Sequence, residues 1–199
     1  MKSVKLTAVI RRRTKRYVKS TPQITAENIL NREFVADNQN EKWLTDVTEF
    51  KLANGSKAYL SAILYIADNS IISYVIGKSN NNKLVFDTLD KAIEANPTAM
   101  PLFHSDRGFQ YTSKTFKYKL NAINAVQSMS RVGRCIDNGP MEAFWGTLKS
   151  EMYYLRKFST FEELEQAIDE YIKFYNTKRL QKKLKGMTPI EYRSHTLTA

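Results

Sequence analysis

Between Trp43 and Ile76 the chain sets three apolar, β-branched or aromatic runs between short polar breaks, and this leaves little choice of architecture. Trp43–Leu52 reads as a strand. The Asn54-Gly55 pair after it is a hairpin signal, because the tightest hairpin turns need residues tolerant of positive φ. The next run, Tyr59–Ile66, is nearly all apolar, as expected for a strand buried on both faces. Asp68-Asn69 supplies a second turn, and Ile71–Ile76 a third strand. Three strands joined by short turns form an antiparallel meander.

The pattern then changes period. Leu84, Leu89 and Ile93 fall at helical spacing and predict a helix over Asn82–Ala95, with Pro97 and Pro101 framing its exit. Pro101–Asp106 reads as a fourth strand, Thr115–Ile123 as a helix and Ala125–Ser130 as a fifth strand. Gly133–Gly139 is a loop, and Pro140 sits where a first helical residue tolerates proline, opening a helix expected to reach about Tyr154. Ser159-x-x-Glu162 and Thr160-x-x-Glu163 both fit a capping box for a long amphipathic helix ending near Tyr175, and Thr188-Pro189-Ile190-Glu191 repeats the signal. The order βββαβαβα is that of a ribonuclease-H-like fold. The expectation is an α/β domain whose mixed sheet has a three-stranded antiparallel meander plus two further strands, flanked by helices. Three regions are expected: a basic N-terminal arm over 1–40, a core over 41–156, and a C-terminal helical extension with a basic run over 157–199.

The net charge of +11 is unevenly placed. Residues 1–20 hold eight basic residues, among them Arg11, Arg12 and Arg13, and no acid. A second basic run without acids contains Lys173, Lys178, Arg179, Lys182, Lys183 and Lys185. Such blocks suit a polyanion, although a solvated basic tail is the plainer reading of the first one. No apolar run reaches the roughly 18 residues that span a bilayer, so no membrane partner is expected, and the apolar stretch Leu6–Ile10 is too short for a signal-peptide core. One cysteine, Cys135, and two histidines, His104 and His195, rule out the usual four-ligand zinc site. A cytoplasmic location is expected.

Three acids stand at informative places. Asp46 lies inside the first strand among Trp43, Leu44, Val47 and Phe50; Asp106 ends the fourth strand; Glu142 lies in the first turn of the helix after the loop. Ionised groups avoid apolar strands unless paired or bound to a cation. If strands one and four are neighbours, the two aspartates converge, and a helix crossing that edge brings Glu142 to them. Three carboxylates around one point suit Mg²⁺. Taken singly, each has a plainer reading: an edge or turn residue for Asp46, a turn former for Asp106, a helix-start acid for Glu142. On one helix Lys149 falls about 20° from Glu142 and is a candidate for a DNA phosphate contact, with surface lysine the alternative. Glu151 falls on the opposite face. His104 shares a strand face with Asp106, either supporting the site or as a satisfied core histidine, and Asp137-Asn138 is expected to shape the loop.

The surrounding words add a resemblance. Trp43-x-x-Asp46-Val47-Thr48, His104-Ser105-Asp106-x-Gly108-x-Gln110-Tyr111, Ser128-Met129-Ser130-x-x-Gly133-x-Cys135-x-Asp137-Asn138, Glu142-x-Phe144-x-Gly146-x-Leu148-Lys149-x-Glu151, Tyr175-Asn176-x-x-Arg179 and Thr188-Pro189-x-x-Tyr192 occur in order. Together with the 35 residues between Asp106 and Glu142, they resemble the insertion-sequence-three family of transposases, a bacterial branch of the retroviral-integrase superfamily. The resemblance implies a catalytic triad of Asp46, Asp106 and Glu142 holding two Mg²⁺ ions, with Mn²⁺ as a substitute. It implies cleavage and strand transfer on double-stranded DNA, both element ends and target, by a homo-oligomer acting at the bacterial nucleoid. DNA contacts are expected at Lys149, Arg11, Arg12, Arg13, Lys178, Arg179, Lys182 and Lys183. The family commonly has Phe at the position of Trp145, Ala at that of Gly139 and His at that of Gln181, and it begins with a further helical DNA-binding region, of which residues 1–40 would be the remnant. Two other readings stay open: a ribonuclease-H-like nuclease that cuts without joining, and a truncated, non-catalytic DNA-binding remnant that modulates a full-length transposase.

Overall fold

A computed structural model of the chain describes residues 26–196. The meander is present as β1 (Lys42–Lys51), β2 (Lys57–Tyr65) and β3 (Ile71–Gly77). The first turn is five residues long, with Gly55 at φ +83° meeting the need for a left-handed conformation. After α1 (Asn82–Ala95) the chain forms β4 (Leu102–Ser105), α2 (Lys114–Ala122) and β5 (Val126–Met129). The sheet order is β3-β2-β1-β4-β5: β1 pairs antiparallel with β2, while β4 and β5 extend the sheet in parallel from its other side. This is the mixed sheet expected, with β1 at its centre.

Alternation along β1 divides the core. Trp43 packs with Val85, Leu89, Phe103 and Phe116 on the face covered by α1 and α2. Leu44 and Phe50 point the other way, into a cluster with α3 (Gly139–Glu151) and α4 (Phe161–Thr177). With a side-chain period of two, Asp46 shares the face of Leu44 and Phe50 and is turned toward α3. Both faces of β2 are covered, which explains its apolar run.

Element ends follow local chemistry. Thr160 caps α4 in a complete capping box with Glu163, so the second of the two overlapping signals is used. The helix expected to reach Tyr154 stops at Glu151, and a short 3₁₀ turn spans Tyr153–Leu155. Tyr153 is drawn to β1, where its hydroxyl accepts from Lys51 N–H at 2.9 Å and donates to Lys51 O at 2.7 Å. The C-terminal elements are fastened to the sheet. Asn176 exchanges two hydrogen bonds with the backbone of Ile71 at the edge strand, at 3.0 and 2.9 Å. Arg193, on α5 (Pro189–Thr196), donates to the fully buried Asp68 at 2.5 Å. Upstream of β1, Leu30 is buried in the core and Phe34 lies against Gly139 at the start of α3. No helix among the described residues is long and apolar enough to cross a membrane.

Candidate active site

The parallel pairing of β1 with β4 decides where two of the acids meet. Leu44 is registered with His104, so Asp46, still inside β1, and Asp106, just past the end of β4, each lie two residues beyond that pair. Asp46 Oδ1 accepts from Val47 N–H at 2.8 Å, and its Oδ2 accepts from the indole N–H of Trp145 on α3 at 3.0 Å. Asp106 Oδ1 accepts from Gly108 N–H at 2.8 Å in a tight turn beyond β4. A side chain at position 108 would come within 3.0 Å of both Asp106 Oδ1 and Gln110 Oε1, so the glycine of that motif allows the close approach.

The electrostatics tie the acids together. Burial, and then the neighbouring Asp106, raise Asp46 from the ordinary 3.8 to about 7; the hydrogen bonds from Val47 and Trp145 oppose the shift, and Glu142 adds a smaller upward push. Asp106 opens to solvent as a residue, yet desolvation about its carboxyl raises it too, against the pull of Gly108 N–H. Two carboxylates that disfavour each other's charge in a partly dehydrated place are what a hard cation would relieve. Oxygen donors of this kind fit Mg²⁺ or Mn²⁺. Among the described residues no three Asp, Glu, His or Cys side chains close into a ready metal cage. The aspartates form the pair, and Glu142, partly exposed in the first turn of α3, stands beside it.

Around this pair the structure assigns the other candidates. His104 is a satisfied core histidine: its two ring nitrogens bond Ser128 Oγ at 2.9 Å and Ser130 Oγ at 3.1 Å. Burial lowers it to about 4, so the ring is neutral at pH 7. Lys149 reaches β1, donating to Thr48 Oγ1 at 2.6 Å and Glu49 O at 3.1 Å, with its ammonium 5.2 Å from the Phe50 ring centre. It thus lies on the side of α3 that faces Asp46. Glu151 faces away, accepting the single Nε–H of Arg179 between its two oxygens, and one hydrogen bond each from Arg179 Nη2 and Tyr171 OH. Arg179 is therefore engaged within the protein. Lys178, Lys182 and Lys183 are exposed, and Arg11, Arg12 and Arg13 lie outside the described residues.

Sequence reasoning missed two features. Trp145 stands where the family commonly has Phe, and its indole N–H donates to Asp46; its place three residues after Glu142, on the same side of the helix, is the available signal. Tyr111 is fully buried with its hydroxyl 3.3 Å from Thr45 Oγ1, and desolvation, followed by Asp106 and Asp46, holds its pKa well above 10. It stays neutral beneath the aspartates.

Comparison with known proteins gives a consistent result. Integrase core domain models match residues 36–135 and 142–197. The chain is 44% identical over 197 residues to a protein of Escherichia coli K12 named as transposase InsK of insertion sequence element IS150, covering 98% of this chain and 69% of that one. It is 45% identical over 172 residues to an uncharacterized transposase-like protein of Haemophilus influenzae, covering 86% and 79%. Among solved structures, the fold is similar to a chain of the simian T-cell lymphotropic virus intasome bound to a PP2A regulatory subunit, with TM-score 0.68, 19% identity, and coverage of 87% of this chain and 60% of that one. It is also similar to the HTLV-2 integrase catalytic core in complex with magnesium, with TM-score 0.62, 19% identity, and coverage of 78% and 97%.

Proposed function

The chain belongs to the insertion-sequence-three family of integrase-core transposases, polynucleotidyl transferases of DNA transposition, and on that premise we propose that Asp46, Asp106 and Glu142 are its catalytic, metal-holding triad. The observation that carries this is the parallel pairing of β1 with β4, registered as far as Leu44 with His104, which leaves Asp46 within β1 and Asp106 just past the end of β4 each two residues beyond that pair, with α3 hydrogen-bonded to Asp46 through Trp145. Bound at these carboxylates, divalent ions would activate the attacking oxygen and stabilise the leaving oxygen of a phosphodiester. Asp46, which feels the charge of both Asp106 and Glu142, would serve both sides of the site. The substrate class is double-stranded DNA at element ends, followed by a target duplex, and the proposed working form is a homo-oligomer on that DNA at the bacterial nucleoid.

The chain's own residues would do the positioning. Lys149 lies along β1 at Thr48, two residues past Asp46, and is proposed to turn toward a phosphate of the bound strand. Lys178, Lys182 and Lys183 offer an exposed basic surface beside Arg179, and Arg11, Arg12 and Arg13 add a basic segment at the other end of the chain. Neutral Tyr111 and neutral His104 add no charge beneath the acids, so the negative field at the sheet end belongs to the acids themselves.

The test is an assay with pre-cleaved element ends, a target duplex and Mg²⁺. Joined product that disappears in Asp106→Asn is the expected result. Cutting without joining would indicate a nuclease, and binding without either would indicate a DNA-binding remnant.

A further inference from the structure

The loop between β5 and α3 is anchored beside both aspartates. At its start, Arg107, next to Asp106, donates from Nε to Ser130 O at 2.7 Å; at its end, Asn138 donates from Nδ2 to Thr45 O, next to Asp46, at 3.0 Å. Its middle is held by Asp137, whose side chain is fully buried. That carboxylate accepts from Arg131 N–H at 3.0 Å, from Arg131 Nε and Nη2 at 2.9 Å each, from Arg32 Nε at 2.7 Å and from Asn28 Nδ2 at 3.1 Å. These donors, Arg131 first, hold the acid far below the usual carboxylate range.

Arg131 belongs to the same loop, whereas Asn28 and Arg32 come from more than one hundred residues earlier. Their segment is itself fixed to the outer strand of the sheet. Glu27 O accepts from Met129 N–H at 3.1 Å, and Leu30 N–H donates to Ser128 Oγ at 3.1 Å. An aspartate that only shaped its own loop would be satisfied by Arg131. The two distant donors add a rigid link from the sheet edge to the residue five places before Glu142. A buried, ionised group with every donor in place transmits position strongly, because moving it strands a charge.

We infer that Asn28 and Arg32 are positioning residues which, through Asp137, set the start of α3 and hence the placement of Glu142 relative to Asp46 and Asp106. This rests on the reading of those three acids as the metal site. The segment ahead of β1 then governs assembly of the site, and not only attachment to DNA.

The experiment follows the melting temperature of the full chain as Mn²⁺ is added, for the parent, Arg32→Ala, Arg32→Lys, Glu142→Ala and the double variant Arg32→Ala/Glu142→Ala. Arg32 is 40% exposed at its side chain, so its truncation leaves no core cavity. Arg32→Ala is expected to raise the Mn²⁺ concentration giving half-maximal stabilisation by about threefold, less than the tenfold or more that follows loss of a direct partner of a ligand, because Arg32 acts one step further out, through Asp137. Arg32→Lys should recover part of this. In the Glu142→Ala background, Arg32→Ala should add nothing, since the pathway runs through Glu142. An unchanged midpoint in Arg32→Ala, or an equal shift with and without Glu142, overturns the inference, because a merely structural role would act independently of that side chain. If Glu142→Ala binds Mn²⁺ like the parent, the metal-site reading fails, and the inference falls with it.

Discussion

Asp46 and Asp106 differ in how they are held, and the difference decides which one reports their mutual repulsion. Asp46 accepts a hydrogen bond on each oxygen, so an asparagine there would turn its amide N–H₂ toward the N–H of Val47 or of Trp145. Asp106 accepts from Gly108 through one oxygen, which an asparagine keeps. Asp106→Asn is therefore the cleaner probe. In the metal-free protein at pH 8 it should stabilise by on the order of 1 kcal/mol, or about 2–4 °C in melting temperature for a chain of this size. Asp46 titrates near 7 when folded and near 3.8 when unfolded, so across that window the folded chain holds more protons and the parent loses stability as pH rises. With residue 106 neutral the raised value of Asp46 relaxes downward. The advantage of the variant should thus be near zero by pH 4, grow as pH rises, and level off above 7. Thermal melts in chelator at pH 4, 6 and 8 check this. A gain that ignored pH would mean charge relief is not its source. The depressed His104 titrates in the same range but is common to both chains and cancels.

At the scale of elements, α3 has two faces with separate work. Trp145 and Lys149 reach β1, and Glu142 shares their side by helical phase, while Glu151 holds Arg179 and Tyr171 on the far side. Glu151→Ala removes charge-assisted hydrogen bonds that are partly exposed, and should cost about 1–2 kcal/mol of stability without changing the salt dependence of DNA affinity. Lys149→Ala should cost about 1 kcal/mol through Thr48 and Glu49, and also lower the log K against log[salt] slope by about 0.9, the share of one phosphate contact. Salt titrations of affinity for both variants beside the parent distinguish the faces. A changed slope in Glu151→Ala together with an unchanged one in Lys149→Ala would reverse the assignment.

For the whole molecule, charge and topology act over different ranges. The basic residues toward the two ends of the sequence would provide a long-range attraction to phosphate without an evident element for reading base edges. Binding should therefore be mostly independent of sequence: less than about tenfold preference for element ends over random duplex at physiological salt, a gap near 1.4 kcal/mol. Competition binding that found a thousandfold preference would locate a recognition surface within this chain. The C-terminal basic run is no loose tail, since Asn176, Arg179 and Arg193 fasten its surroundings to β3, α3 and the β2–β3 turn.

The meander, the order of the helices and the starts of the capped ones were legible in the sequence because they depend on local properties: side-chain period, turn residues and a cap three positions from its partner. Asp46, Asp106 and Glu142 were candidates for the same reason, each being an acid out of keeping with its immediate surroundings. The distant partners of Trp145, Asp137, Arg32 and Arg179 were not legible, and Lys149 was placed by helical phase without its partners. Arg32 and Asp137 stand 105 positions apart, and Trp145 stands 99 from Asp46. No periodicity spans such intervals. Only the sheet order, with β1 paired to β4 and α3 laid across it, brings these groups within hydrogen-bond reach, and burial then fixes which of them must pair.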